Sequence, residues 1–331
     1  QGSSEHHGIA TTFVSSIFPP LRVRTSFLIS TTLCCAAAFS PWSAQAQSAL
    51  RSSKTCSAEA AMSGASSRLP VFFVNHGGGP FPVLGEEGHA SLTNSLRSFG
   101  KKFDPVKRGV KAILVISAHY EASVPTLTSA KSPSLLYDYY GFPPESYEIK
   151  YPCPGAPDVA KRIEALLKEA GISVAFDEKR GLDHGVFIPL KLMLPSAEFP
   201  CLQISLHKSL DPAYHLKLGK AMARLREEGV LIIGSGMTTH NMQGLMSQDM
   251  KRDQNLAFDR WLIESCKAVE KERETRFIQW KTAPGALYNH PREEHLVPLF
   301  VCAGAAESDA GQILFADDMW SARVTSFQFG E

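Results

Sequence analysis

Apolar positions recur with two different spacings along residues 69–331, and the two spacings predict alternating strands and helices. Short apolar runs rich in β-branched residues predict strands over 71–75, 112–117, 172–176, 201–206 and 230–234, and the alternating run 324–329 predicts an edge strand. Apolar residues three and four apart predict helices over 91–103, 158–170, 212–228 and 254–272. Helices between buried strands are typical of α/β proteins. We therefore predict a single α/β domain over 67–331, with a central mostly parallel or mixed sheet flanked by helices.

The first 66 residues differ in composition, and we exclude them from this domain. They are rich in Ser, Thr and Ala, and their apolar stretch over 27–39 is too short and too interrupted to predict a membrane span. The run Ala44-Gln-Ala46 would suit signal peptidase, and the arginine and serine bias would suit an organelle transit peptide. A disordered extension, with the true start near Met62, would have the same composition. We expect an organellar or secretory route for a leader and a cytoplasmic location for an extension, with no membrane span in the mature protein.

Charge and cysteine usage narrow the range of partners. The formal net charge is +1 and no long basic run occurs, so nothing indicates a nucleic acid or a membrane surface as a partner. The cysteines are odd in number and form no Cys-x-x-Cys pair in the predicted domain, which favours isolated buried thiols in a reduced protein. The seven are Cys34, Cys35, Cys56, Cys153, Cys201, Cys266 and Cys302. We therefore expect the partner of this protein to be a small molecule.

Histidines stand where predicted strands end. His76 and His119 follow two buried strands almost directly, and His240 follows a third. Functional residues of an α/β sheet gather at the carboxyl ends of its strands, so imidazoles from separate strands can converge on one metal ion there. The glycines after His76 allow the backbone to approach a ligand closely. The pattern predicts a metal site at this edge of the sheet.

Two further segments add candidates. His184 follows Asp183, which is either a carboxylate that orients an imidazole or the N-cap of a helix. His290 and His295 enclose two glutamates, and Pro291 predicts a helix start between them. Such a helix would let His295 or one glutamate point into the site. Three other histidines lack this context and are expected to be ordinary core or surface residues: His89, His207 and His215.

Several short motifs follow one another in a specific order. They are the His76-Gly loop, Ser117-Ala-His119-Tyr120, Tyr137-Asp-Tyr-Tyr-Gly-Phe-Pro143, Tyr151-Pro-Cys-Pro-Gly155, Gly181-Leu-Asp-His184-Gly with Pro189-Leu-Lys191, Gly234-Ser-Gly236 with Thr239-His-Asn241, and His290-Pro-Arg-Glu-Glu-His295 with Pro298-Leu299. Each motif alone is unspecific, but the ordered set is not. Over about residues 68–331 the chain resembles the class III extradiol ring-cleavage dioxygenases of the LigB superfamily, in particular the branch called 4,5-DOPA dioxygenase extradiol-like.

The resemblance implies a role for five of the histidines in these motifs. It implies that His76 and His119 are metal ligands and that His295 is the third. Glu294 is a rival for the third position, because the non-haem iron triad is normally two histidines and one carboxylate. His240 would lie beside the open coordination sites, as acid–base catalyst or as an extra ligand, and His184 would be a further catalytic histidine of the pocket. Fe(II) is expected for activity, although three imidazoles also suit Zn²⁺ in the purified protein.

The implied activity is a metal-dependent extradiol dioxygenase that opens a DOPA-like or other small catechol with both atoms of O₂. The residues leave two alternatives open: a zinc-dependent hydrolase, since the same imidazoles could activate water, and a non-enzymatic Memo-like binding protein. Asn75 and the pair Gly78-Gly79 differ from the Ser-His-Gly-Ser/Thr-Pro usual in the DOPA branch, so the catechol is left open. Arg180 and Lys191 are candidates to hold a substrate carboxylate.

Overall fold

The computed structural model describes residues 68–331, and the predicted leader over 1–66 lies outside the described residues. The strands are β1 (Val71–Asn75), β2 (Ala112–Ala122), β3 (Thr126–Thr128), β4 (Ala175–Asp177), β5 (Cys201–His207), β6 (Val230–Gly236), β7 (Gly311–Met319) and β8 (Ala322–Phe329). The α-helices are α1 (Phe81–Leu84), α2 (Ala90–Phe103), α3 (Pro157–Glu169), α4 (His184–Met193), α5 (Pro212–Met222), α6 (Met242–Ser247), α7 (Arg252–Lys267), α8 (Glu270–Ile278), α9 (Ala286–Asn289) and α10 (Val297–Ala306). None of the helices between residues 68 and 331 is long and apolar enough to cross a bilayer.

One mixed sheet joins the eight strands in the order β4-β3-β5-β2-β6-β1-β8-β7. The central strands β5, β2, β6 and β1 are parallel neighbours, with Leu114 of β2 opposite both Leu202 and Ile232. β8 pairs antiparallel with β1 and with β7, and β3 pairs antiparallel with β5. The predicted α/β class with a mixed sheet flanked by helices is confirmed.

Helices cover both faces of the central strands, which explains their unbroken apolar runs. Leu114 and Ile232 pack into a core with α3, α5 and α10. Their neighbours Ile113 and Ile233 point the other way, into a core with α2 and α4. α10 is buried over its whole length, and Gly219 of α5 lets the backbones of the two helices approach closely.

Three predicted elements have different bounds in the structure. The helix predicted over 254–272 is two helices, α7 and α8, because Ala268 between them has an extended backbone with ψ 154°. The helix predicted over 212–228 stops being α-helical at Met222 and continues as a 3₁₀ turn. The strand predicted over 172–176 begins only at Ala175.

The prediction of an edge strand over 324–329 was wrong. β8 lies between β1 and β7, and β7 is the edge. β7 was missed because Gln312, Asp317 and Asp318 break the apolar alternation expected of a strand. The covered position of β8 explains why its residues are mostly buried.

The cysteines of the described part of the chain are buried free thiols, which confirms the prediction made for this part. They are Cys153, Cys201, Cys266 and Cys302. The other three cysteines precede residue 67, and the prediction for them lies outside the described residues.

Candidate metal centre

The carboxyl ends of β1 and β2 meet at one edge of the sheet, with β6 between them. His76 follows β1 directly, and its backbone N–H donates to the carbonyl of Gly236 at the end of β6, at 3.1 Å. His119 lies within β2, where the register against β5 shifts between Ile116 and Glu121. Irregular pairing of this kind redirects side chains and is common beside active sites. Both histidines therefore reach the same edge.

His295 arrives from a turn, and the prediction of a helix start at Pro291 was wrong. α9 ends at Asn289 and α10 begins at Val297, with Pro298 in its first turn. The proline suited to a first helical turn is thus the later one. The carbonyl of His295 accepts a hydrogen bond from the N–H of Met237, at 3.0 Å. This contact holds the turn against the end of β6.

Three imidazoles meet at this edge with a spacing that suits one ion. Nε2 of His119 lies 3.2 Å from Nε2 of His76 and 3.3 Å from Nε2 of His295. Two nitrogens bound at about 2.1 Å to one ion are about 3.0–3.4 Å apart at octahedral to tetrahedral angles. One ligand atom from each ring lies within 4.8 Å of the others. These three side chains could therefore hold a metal ion.

The three rings are also in the protonation state that ligation requires. Burial lowers the pKa of His76, His119 and His295 well below the usual range, and repulsion between neighbouring imidazolium groups lowers each further. Neutral imidazoles keep a lone pair, and only that form binds metal. The rings can therefore accept a cation at neutral pH without first losing a proton.

Two more imidazoles border the three. The ring centre of His184 lies 3.9 Å from that of His119 and 5.4 Å from that of His76. The ring of His240 stacks on that of His295, with ring centres 3.4 Å apart and planes 20° apart. The five histidines to which the resemblance gives a role thus lie together. Asp183 occupies the N-cap position of α4, but its carboxylate accepts from the hydroxyl of Ser117 at 2.6 Å rather than from an imidazole.

Two carboxylates lie behind the rings, and one of them was not predicted. Oδ1 of Asp138 accepts from the backbone N–H of His184 at 2.9 Å and from Nδ1 of the same ring at 2.8 Å, and Oδ2 lies 3.6 Å from Nδ1 of His119. Oε1 of Glu294 lies 2.8 Å from Nδ1 of His295 and 3.0 Å from Nδ1 of His240. Asp138 stands in the aromatic motif over 137–143, and its position among tyrosines gave no sign of this contact.

Both carboxylates are ionised at neutral pH. Burial raises the pKa of Asp138, but hydrogen bonds from His184 outweigh it and lower the pKa to about 2. Burial likewise raises the pKa of Glu294, and the contact with His240 more than offsets it, so the pKa falls below its usual value. Each carboxylate therefore acts only as a hydrogen-bond acceptor.

The remaining ring of the three has a hydroxyl behind it. Nδ1 of His76 lies 3.0 Å from Oγ of Ser235. Ser235 donates its single hydroxyl hydrogen to the carbonyl of Gly185, so it can only accept from the ring. The proton of His76 is thus on Nδ1, and the lone pair is on Nε2.

An open cleft of about 640 Å³ borders the rings. Its lining residues are Ala118, His119, Tyr120, Glu121, Arg180, His240, Met242, Arg292, Glu294 and His295. The guanidinium of Arg180 lies 4.0 Å from the ring centre of Tyr120, and Arg292 pairs with Glu121 at 2.6 Å. Arg292 was not among the predicted residues. Lys191 lies elsewhere, where its ammonium group donates to the carbonyl of Lys150.

Other histidines of the described chain lie outside this cluster. His290 is buried beside Phe258, and its Nε2 donates to the carbonyl of Thr238 at 3.1 Å. Burial lowers the pKa of His290 to about 3. The other three are engaged in local hydrogen bonds: His89, His207 and His215.

Comparisons with known proteins place the chain in a family. Residues 81–326 match the family model described as the catalytic LigB subunit of aromatic ring-opening dioxygenase. The chain is 39% identical to a 4,5-DOPA dioxygenase extradiol of Beta vulgaris, over 78% of this chain and 94% of the relative. It is 38% identical to the dioxygenase tasH of Hapsidospora irregularis, over 79% of this chain and 85% of the relative.

A solved structure has the same fold. The crystal structure of an uncharacterized protein from Escherichia coli K12 superposes with a TM-score of 0.66 at 27% identity, covering 80% of this chain and 100% of that one. The family match spans the strands and turns that carry all the clustered histidines except His76. The chain therefore belongs to the LigB family of aromatic ring-opening dioxygenases, as a class III extradiol dioxygenase.

Proposed function

We propose that the protein opens the ring of a small catechol, DOPA-like or otherwise substituted, and incorporates both atoms of O₂. The observation that carries the proposal is the set of three Nε2 atoms, 3.2 and 3.3 Å apart, beside an open cleft. Relatives named 4,5-DOPA dioxygenase extradiol support a catechol as the substrate. The name of these relatives does not show which substituents the aromatic ring of this protein's substrate carries, so the proposal is limited to the catechol class.

His76, His119 and His295 would hold Fe(II) through Nε2. The imidazole donors fit iron and zinc alike, so Zn²⁺ can take the same place in the purified protein. When bound, iron supplies the redox chemistry through which an aromatic diol reacts with O₂. Glu294 is less suited to be the third ligand, because its Oε1 is engaged with Nδ1 of His295 and Nδ1 of His240.

His240 is the proposed acid–base catalyst. Its Nδ1 lies 3.0 Å from Oε1 of Glu294. The ring lines the cleft, so Nε2 is the atom that would exchange a proton with a bound substrate. It would take the proton of a catechol hydroxyl and later return it to the departing oxygen. A positioned group of this kind contributes about 10²–10⁴-fold to the rate.

His184 is the second proposed catalytic histidine. Its Nδ1 is bonded to Asp138 at 2.8 Å, which leaves Nε2 as the acceptor for the second hydroxyl of the diol. Arg180 lines the cleft next to Tyr120 and is the proposed contact for an acidic ring substituent.

The test begins with protein purified without oxygen and loaded with Fe(II). Addition of air and a panel of catechols, including DOPA and protocatechuate-like acids, should produce yellow semialdehyde-type absorbance and consume one O₂ per ring opened. Zn²⁺-loaded protein is the control and should do neither. Iron-loaded protein that consumes no O₂ with any catechol would contradict the proposal, and hydrolysis of esters by the zinc form would replace it.

A further inference from the structure

Each of the two carboxylates behind the rings is shared between two imidazoles. Asp138 bonds His184 through Oδ1 and faces His119 through Oδ2. Glu294 contacts His295 and His240 through one oxygen. In both pairs one ring belongs to the proposed metal ligands and the other to the proposed acid–base groups. The same atom is used in all four rings, namely Nδ1.

We infer that Asp138 and Glu294 are positioning residues that keep the proton of three imidazoles, those of His184, His240 and His295, on Nδ1 and thereby leave their Nε2 lone pairs available in the site. The inference rests on the proposed metal centre. An ionised carboxylate has no hydrogen to donate, so each ring that bonds to it must present an N–H. A neutral imidazole has one N–H only, and Nε2 is then unprotonated. Ser235 imposes the same arrangement on His76.

The distances predict that the two carboxylates differ in their effects. Glu294 lies 2.8 Å from Nδ1 of His295, a normal hydrogen bond. Asp138 lies 3.6 Å from Nδ1 of His119, beyond hydrogen-bond length, but 2.8 Å from Nδ1 of His184. Loss of the Glu294 carboxylate should therefore weaken metal binding more, and loss of the Asp138 carboxylate should mainly affect His184.

The same side chains also form two groups that are close enough to hold ions themselves. Asp138 with His119 and His184, and Glu294 with His240 and His295, each bring three ligand atoms within 4.8 Å. An ion there would take the Nδ1 lone pair and displace the N–H bonds described above. Metal stoichiometry separates the two interpretations, because the positioning role requires one ion per chain.

The test uses the variants Asp138→Ala and Glu294→Gln. In Glu294→Gln the carbonyl oxygen can stay beside Arg292, as Oε2 does at 3.3 Å, which turns the NH₂ group toward His295 and His240, because one oxygen faces both rings. Both rings then meet a donor and must move their protons to Nε2. Asp138→Ala removes the acceptor of Nδ1 of His184, so that ring is free to take either tautomer. Long-range ¹H–¹⁵N spectra of the imidazoles in metal-free protein distinguish the two tautomers, with signals assigned through single His→Gln variants. The expected result is an Nδ1–H tautomer in the wild type for the four rings with a bonded acceptor, with two rings changed in Glu294→Gln and one in Asp138→Ala. The four are His76, His184, His240 and His295.

Zinc affinity is measured in parallel, by competition with a chromogenic chelator. Glu294→Gln should lower it by about 10–100-fold, as loss of a group behind a metal-bound histidine typically does, and Asp138→Ala should lower it less. Glu228→Gln is the matched control, since that carboxylate pairs with Arg162 at 2.7 Å just before the opposite end of β6. It should change neither the spectra nor the affinity.

Several outcomes would overturn the inference. One is an Nε2–H tautomer in any of the rings of His184, His240 and His295 in the unaltered protein, a measurement that does not depend on whether the variants fold. Another is a loss of zinc affinity with unchanged tautomers, and a third is two zinc ions per chain. A wild-type protein that shows the Nδ1–H tautomers but binds no zinc would contradict the proposed function and leave this inference standing.

Discussion

Replacement of Gly236 by alanine tests whether the turn that carries His295 is held in place by the end of β6. A Cβ at position 236 would lie 2.1 Å from the carbonyl oxygen of His295, whereas nonbonded carbon and oxygen atoms approach to about 3.3 Å at closest. The obstacle is backbone, so the turn must retreat by about 1 Å. A metal–nitrogen distance tolerates only about 0.2 Å. Gly236→Ala should therefore lower zinc affinity by on the order of 100-fold or more.

The same substitution should also cost about 1–3 kcal/mol of stability, as overpacking usually does. Gly219→Ala provides a matched control, because its Cβ would lie 2.1 Å from the carbonyl oxygen of Val301, between α5 and α10. Both variants should unfold at lower urea concentration, and only Gly236→Ala should lose zinc in the chelator competition, measured where both are folded. Equal zinc affinity in Gly236→Ala and wild type, or an equal loss in Gly219→Ala, would refute the reasoning.

Three further predictions concern the acid–base histidine, two buried imidazoles and the core around α10. His240→Gln should reduce turnover of iron-loaded protein by about 10²–10⁴-fold while zinc affinity changes little, as an oxygen electrode and the chelator assay would show. Burial lowers the pKa of His215 to about 4 and that of His290 to about 3, so below pH 6.5 the folded state binds fewer protons than the unfolded state. The free energy of unfolding should therefore decrease as the pH is lowered from 6.5 toward those values, by about 1.4 kcal/mol per pH unit for each ring. Urea unfolding at pH 7, 6 and 5 checks this, and an unchanged free energy of unfolding would contradict it. Leu299→Ala, in the fully buried α10, should lower the free energy of unfolding by about 2–5 kcal/mol, measured by urea unfolding. A loss of less than about 1 kcal/mol would argue against the packing of α10 in the core.

The strands of the fold and the histidines at their ends could be predicted because both are local features of the sequence. The apolar run of β2 ends near His119, and that of β1 ends just before His76. Parallel pairing then brings the two rings to one edge without further information. The position of His295 could not be predicted in this way, because it depends on a turn that is held by tertiary contact. The carbonyl of His295 accepts a hydrogen bond from the N–H of Met237, which is far away in sequence.

Asp138 could not be predicted for a related reason. It lies between Leu135 and the 3₁₀ turn at Pro144–Glu148, in a stretch with little regular structure and thus no periodicity to read. Its carboxylate reaches the site because the segment runs beside the start of α4, where the Leu136 N–H donates to the carbonyl of Leu182. Such a contact is set by tertiary packing, and a single acid among tyrosines gives no hint of it.

The charged groups around the three rings favour the binding of a cation. Ionised Asp138 and Glu294 place two negative charges one imidazole ring away from the three Nε2 atoms, and the rings themselves are neutral. Arg292 offsets part of the charge of Glu294 from 3.3 Å, at the exposed side of the cleft. A buried charge is costly unless a partner compensates it. A cation bound by the rings would be such a partner for the two carboxylates. The two carboxylates are therefore expected to strengthen the binding of a cation by the rings, whereas Arg180 at the wall of the cleft already pairs with Asp183 at 3.2 Å.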